Sequence, residues 1–199
     1  MEFDLTRFGP EVSTTVLPPF QKGAPDREFI AVLHTVSRRY VALERAIRRA
    51  IDRVAAPVCS RCDRVCCRAA YCRNTLINPW YRYLFEHFQR EKAIPWERRN
   101  PPPGLGPTGC IILAGRYAYC YAYNCRVILA SLEFDARGRA FQELSDLLKN
   151  IGLNFFGRRH LTDVRDWKEI TLPRLERLNQ KIEEGTKRFD ALRSLLFMG

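Results

Sequence analysis

The chain has 199 residues, 46% hydrophobic and 12% aromatic, with a formal charge of +11 at pH 7. A chain of this length buries a core without crosslinks, and this composition excludes global disorder. No apolar run reaches the roughly eighteen residues of a transmembrane helix, so a membrane partner is not expected.

The positive charge is unevenly placed. Residues 57–126 hold eleven Arg or Lys against four acids, a net of +7, whereas residues 26–56 and 139–199 are each +3. The opening MEFDLTRFGPEVSTT lacks the basic head and apolar block of a secretory signal, so a cytoplasmic location is expected.

Residues 1–25 read as an extended, Pro-rich arm. Pro10, Pro18, Pro19 and Pro25 each remove a backbone donor and disfavour helix at the residue before. Phe3, Phe8, Val16, Leu17 and Phe20 supply apolar side chains able to pin the arm to the body. Residues 26–199 are expected to form a single helical domain.

Residues 26–56 predict one long helix, with Asp26 as its cap. Ile30, Leu33, Val36, Tyr40, Leu43, Ile47, Ile51 and Val54 recur every three or four residues on one face. The arginines fall largely on the other, read as a solvated face, and Pro57 is expected to end the helix. Residues 57–79 read as irregular with short helical turns. Residues 80–92 predict a helix with Tyr81, Leu84, Phe85 and Phe88 on one face, and residues 100–109, NPPPGLGPTG, a loop. Residues 110–134 alternate weakly, compatible with short strands or with turns.

A helix is predicted over 138–150, with Gly152 as its stop. A last helix is predicted over 163–196, kinked near Pro173, with Leu172, Leu175, Leu178, Ile182, Phe189, Leu192 and Leu196 as its stripe. The expected fold class is mainly α. Long N- and C-terminal helices pack together, with a cysteine-rich, irregular metal-binding insertion, residues 57–126, between them.

That insertion carries the chemistry. CSRCDRVCCRAAYC places Cys59, Cys62, Cys66, Cys67 and Cys72 within fourteen residues, and Cys110, Cys120 and Cys125 follow. Two thiolates spaced as Cys59 and Cys62 reach one metal from a tight turn, whose amides can hydrogen-bond the sulfurs. Neighbouring side chains in extended backbone point apart. Cys66 and Cys67 therefore face two different sites, or one binds and the other packs. Eight thiols divide into two four-thiolate sites. Each suits tetrahedral zinc, with sulfur distances of about 2.3 Å, or an iron–sulfur cluster. Cys59, Cys62, one of Cys66 and Cys67, and one distant thiol are expected to share a site. Four thiolates leave either centre net negative, and Arg61, Arg64, Arg68, Arg73, Arg116 and Arg126 are interleaved to screen it. A reducing compartment disfavours disulfides. Ordinary burial accounts for Cys110 or Cys120 singly, but not for five thiols in fourteen residues.

These residues resemble the cysteine-cluster family of proposed zinc- or iron-chelating proteins. Its first block, a C-x-x-C followed by a doublet and a basic residue, is similar to Cys59, Cys62, Cys66, Cys67 and Arg68. Its second block is similar to CIIL at Cys110 and to CYAYNCR, with Cys120, Cys125 and Arg126. The resemblance spans residues 59–126, with Cys72 as an addition, and implies chelation without implying a reaction.

His34, His87 and His160 are scattered and read as packing or surface residues. No phosphate loop, dinucleotide fingerprint, H-E-x-x-H or nucleophile elbow is present. Tyr117, Tyr119, Tyr121 and Tyr123 lie beside arginines, an arrangement able to stack bases. The favoured reading is that they line a small core around the metal site. The expected function is a metal-binding protein of the chelating type, whose eight cysteines hold one or two zinc or iron–sulfur centres. The alternatives are an iron–sulfur redox or radical enzyme, which needs an open coordination position, and a zinc-stabilised nucleic-acid-binding protein.

Overall fold

The computed structural model describes residues 27–61, 74–75, 77–88, 112–132 and 135–197, together with the backbone of 105–106 and 109–110. The expected arm at 1–25 and the Asp26 cap lie outside the described residues. The described chain is mainly helical. Its first element, α1, runs Arg27–Cys59 and buries Leu33, Val36, Tyr40, Leu43 and Ile47, with Val41, Ala46 and Ala50 widening the stripe. Pro57 does not end this helix but lies inside its last turn. A proline there forfeits one bond, and the next survive: the Ser60 N–H donates to the Ala56 carbonyl at 3.0 Å and the Arg61 N–H to the Val58 carbonyl at 3.3 Å.

The second helix, α2, runs Pro79–Phe88, with a proline at the first position, where a missing N–H costs nothing. Asn78, fully buried, sets its start. Its Oδ1 accepts the Tyr81 N–H at 3.2 Å, and its Nδ2 donates to the carbonyls of Leu161 and Val164 at 2.8 and 3.1 Å. The predicted face holds, with Tyr81, Leu84 and Phe85 buried, joined by Trp80 and Tyr83. Within the predicted loop, β1 (Leu105–Gly106) pairs antiparallel with β2 (Gly109–Cys110), Leu105 opposite Cys110. Residues 112–132 resolve the strand-or-turn ambiguity as a bent, irregular segment and two short helices, α3 (Tyr119–Ala122) and α4 (Arg126–Ser131).

The next helix, α5, runs Ala136–Ile151 and is capped by Asp135, whose Oδ1 accepts the Gly138 N–H at 2.9 Å. Gly152 does stop it, for a different reason than expected. Its φ is −75°, so no left-handed turn requires a glycine. A Cβ there would lie 2.5 Å from His160 Cε1 and 2.7 Å from Nε2. The imidazole cannot retreat: Nε2 meets the Lys149 carbonyl at 2.7 Å and Nδ1 accepts the Thr162 N–H at 3.0 Å.

Two single-turn 3₁₀ helices follow, Leu161–Asp163 and Trp167–Glu169, each closed by a capping box, His160 with Asp163 and Asp166 with Glu169. They end before the last helix, so α6 runs only Leu172–Phe197 rather than starting at 163. Pro173 sits in its first turn, where helices tolerate proline, and opens the helix instead of kinking it.

The long helices do pack together. Arg39 Nη1 donates to Asn179 Oδ1 at 3.0 Å, and the Arg53 guanidinium lies 4.5 Å from the centre of the Phe197 ring, so α1 and α6 run parallel. Arg188 binds Glu143 through two 2.6 Å bonds and Lys181 Nζ donates to the Leu153 carbonyl, so α5 runs antiparallel to α6. One hydrophobic cluster runs through all three, from Leu33 to Leu196. Among the described residues, no helix is long and apolar enough to cross a membrane. Overpacking a filled core costs about 1–3 kcal/mol. Gly152→Ala is expected to lower the urea midpoint by the equivalent of that amount with an unchanged slope, measured by circular dichroism.

Candidate functional site

Cys59 is the last residue of α1 and is exposed. Cys110 ends β2. Cys120 lies in α3, half-buried against the core. Cys125 is the N-cap of α4, its Sγ accepting the Ile128 N–H at 3.5 Å. Cys62, Cys66, Cys67 and Cys72 lie outside the described residues. Among the described residues, no three or more His, Cys, Asp or Glu side chains are grouped to hold a metal ion. Cys59, Cys120 and Cys125 therefore do not form one centre by themselves.

What the structure brings together instead is a buried carboxylate. Glu44, on α1, has no solvent exposure. Its Oε2 accepts the Gly115 N–H at 2.9 Å, and its Oε1 accepts the Arg116 N–H at 2.8 Å and the Tyr121 hydroxyl at 3.0 Å. The receiving backbone is shaped for this. Gly115 has φ +75°, and a Cβ there would come within 2.4 Å of the Tyr81 carbonyl oxygen, so the segment lies directly on α2. One turn along α1, Arg48 Nη1 donates to the Ile112 carbonyl at 2.9 Å. Arg45 Nη2 donates to the Phe88 carbonyl at 2.8 Å. Thr75, also fully buried, accepts the Tyr117 N–H on its Oγ1 at 3.1 Å.

Aromatic rings close the surroundings. Tyr40 and Tyr81 have centroids 6.4 Å apart, Tyr81 and Tyr117 5.6 Å, and Trp80 meets Tyr40 edge-on at 5.8 Å. The Arg116 guanidinium lies 5.3 Å from the centre of the Tyr121 ring. Burial pushes the Glu44 carboxyl above its ordinary value of 4.5, and the two N–H groups, the Tyr121 hydroxyl and the Arg116 charge pull it partly back. Burial, and then the Glu44 charge, hold the Tyr121 hydroxyl well above the usual tyrosine range, so it stays a neutral donor. With every described contact spent on loop backbone and one phenol, the arrangement suits fastening rather than proton transfer.

The tyrosine expectation divides accordingly. Tyr117 and Tyr121 are buried, with the Tyr121 hydroxyl spent on a carboxylate, and Tyr119 and Tyr123 are 37% and 45% exposed. The three histidines pack: His34 near Phe88 at 6.2 Å, His87 against Tyr83 at 4.1 Å, and His160 in the corner after α5. The Lys149 carbonyl can only accept, so the His160 Nε2 carries the proton, and burial lowers the pKa of the ring.

Sequence reasoning missed Glu44, although the signal was present. It follows Tyr40 by four residues and precedes Ile47 by three, so an acid stands inside the apolar stripe. The supposedly solvated arginine face is also partly occupied, since Arg45 bonds the carbonyl at the end of α2 and Arg48 the Ile112 carbonyl. No family model, no curated protein and no solved structure matches the chain.

The raised carboxyl fixes the sign of a pH effect. The fold binds a proton on Glu44 more readily than the unfolded chain does, so its contribution to stability declines as pH rises. The unfolding free energy of the wild type minus that of Glu44→Gln is expected to fall from pH 4.5 upward, levelling above the raised value. Urea melts across pH check this, and a rising difference contradicts it.

Proposed function

We propose that the protein is a metal-binding protein of the chelating cysteine-cluster type, holding zinc or an iron–sulfur cluster at one or two centres. Cys59, Cys62, Cys66, Cys67, Cys72, Cys110, Cys120 and Cys125 are the ligands. The observation that carries the reading is the spacing: five thiols within fourteen residues and three more over 110–125, in the most basic stretch of the chain.

Two features of the fold support it. The first cysteine block leaves α1 at Cys59, and the chain returns at Thr75, whose hydroxyl is bonded to the Tyr117 N–H of the second block. The two blocks are thus tied by a buried hydrogen bond three residues after Cys72 and three before Cys120. Cys125 also places its sulfur on an amide N–H, a contact that offsets thiolate charge. A reducing, cytoplasmic setting would keep such thiols available.

Purification without oxygen, followed by elemental analysis, tests the reading. Brown protein with bound iron and sulfide assigns a cluster, and colourless protein with about two zinc per chain assigns structural zinc. Single Cys→Ser changes are expected to lower metal per chain at the ligands. Protein that arrives without metal, and takes up neither zinc nor iron when reduced, contradicts it. If the zinc form also retained RNA or DNA with steep salt dependence, the zinc would be supporting a nucleic-acid-binding protein.

A further inference from the structure

We infer that Glu44 is the positioning residue for a thiol centre that includes Cys120 and excludes Cys59; this rests on the chelating reading above. Cys120 directly precedes Tyr121, whose hydroxyl donates to Glu44 at 3.0 Å. Cys110 lies two residues before Ile112, whose carbonyl is held by Arg48 one turn along the same helix. The intervening backbone is held at Gly115 and Arg116 by the same carboxylate, at 2.9 and 2.8 Å. Glu44 and Arg48 thus fasten to α1 the segment that joins Cys110 to Cys120.

The end of the first cysteine block is fastened to that same segment. Thr75 accepts the Tyr117 N–H at 3.1 Å, between the Arg116 and Tyr121 contacts. A carboxylate is suited to this task because its two oxygens accept from several donors at once, where a neutral side chain of that size offers one acceptor oxygen. Replacing one oxygen with an NH2, as in Glu44→Gln, leaves two backbone N–H groups competing for one oxygen, and the segment loosens.

The same helix keeps Cys59 away. Fifteen residues of unbroken α1 separate Glu44 from Cys59. At the standard rise that is about 22 Å along the axis. Among the described residues, Cys59, Cys120 and Cys125 are not grouped as three. Thiols near the end of α1 and thiols beside Glu44 belong to two centres, and only the second depends on the carboxylate.

The test compares the wild type, Glu44→Gln, the milder Tyr121→Phe, and Leu178→Ala. Leu178 is a buried α6 residue that makes none of these bonds. Each full-length chain is loaded with zinc under reducing conditions, and release to a chromophoric chelator is followed. Supporting residues outside the ligand shell typically change metal affinity by 10–100-fold, so in Glu44→Gln one zinc fraction is expected to leave about tenfold faster while the other is unchanged. Tyr121→Phe should show a smaller change in the same fraction, and Leu178→Ala none. Release from Glu44→Gln and Tyr121→Phe at the wild-type rate, or equal acceleration in Leu178→Ala, overturns the inference.

Should wild-type protein bind no metal, the chelating reading fails, and positioning is judged on the thiols alone. Mass-resolved alkylation of Cys120 is then expected to speed up in Glu44→Gln and not in Leu178→Ala, with Cys59 unchanged in both. Equal Cys120 rates in Glu44→Gln and wild type overturn the inference on that arm.

Discussion

A carboxylate with no access to water holds this fold in register. Taking Glu44 out of solvent is costly, and the cost is offset only because backbone N–H groups and a phenol meet it. The interaction is specific in a way apolar packing is not. Hydrophobic contact alone would let the segment after β2 slide along α1, whereas three donors aimed at two oxygens admit one placement. Arg48 on Ile112 and Thr75 on Tyr117 agree with that placement. Gly115 permits it, because no side chain could occupy the space between the segment and α2.

The rest of the molecule supplies a stiff support for this contact. The helices α1, α5 and α6 share one core, with α1 parallel and α5 antiparallel to α6. The corner between α5 and α6 is itself held by polar groups. His160 ties Lys149 to Thr162, and Asn78 reaches from the start of α2 to the Leu161 and Val164 carbonyls. Buried side chains that satisfy backbone atoms from two elements at once recur through the fold. They explain how short, irregular pieces such as α3 and α4 keep a defined place.

The long elements were legible because apolar residues three and four apart stay on one helical face through α1, α5 and α6. Their ends were less so. Pro57 and Pro173 are the same residue with opposite readings: one sits in a last turn and ends nothing, the other sits in a first turn and begins a helix. Telling them apart depends on neighbouring hydrogen bonds, such as the capping box of Asp166 and Glu169, which a periodic pattern does not contain. Gly152 was placed correctly for a reason that lay in His160, eight residues away. Glu44 was visible as an acid in an apolar stripe, but its partners come from residues 115–121, and no local pattern joins the two. For the thiols, their clustering is plain in the order of residues, and the fold adds the Thr75 to Tyr117 tie and the length of α1 between Glu44 and Cys59.

The buried carboxylate reaches the second cysteine block at Tyr121, beside Cys120, so the coupling between Glu44 and Tyr121 is the quantity on which the account of the fold depends. A double-mutant cycle with Glu44→Ala and Tyr121→Phe, read from denaturant unfolding at neutral pH, measures it directly. A hydrogen bond to a buried charged acceptor is worth about 1.5–3 kcal/mol, and the cycle is expected to return a coupling in that range. Additive changes, with a coupling below about 0.5 kcal/mol, would contradict it.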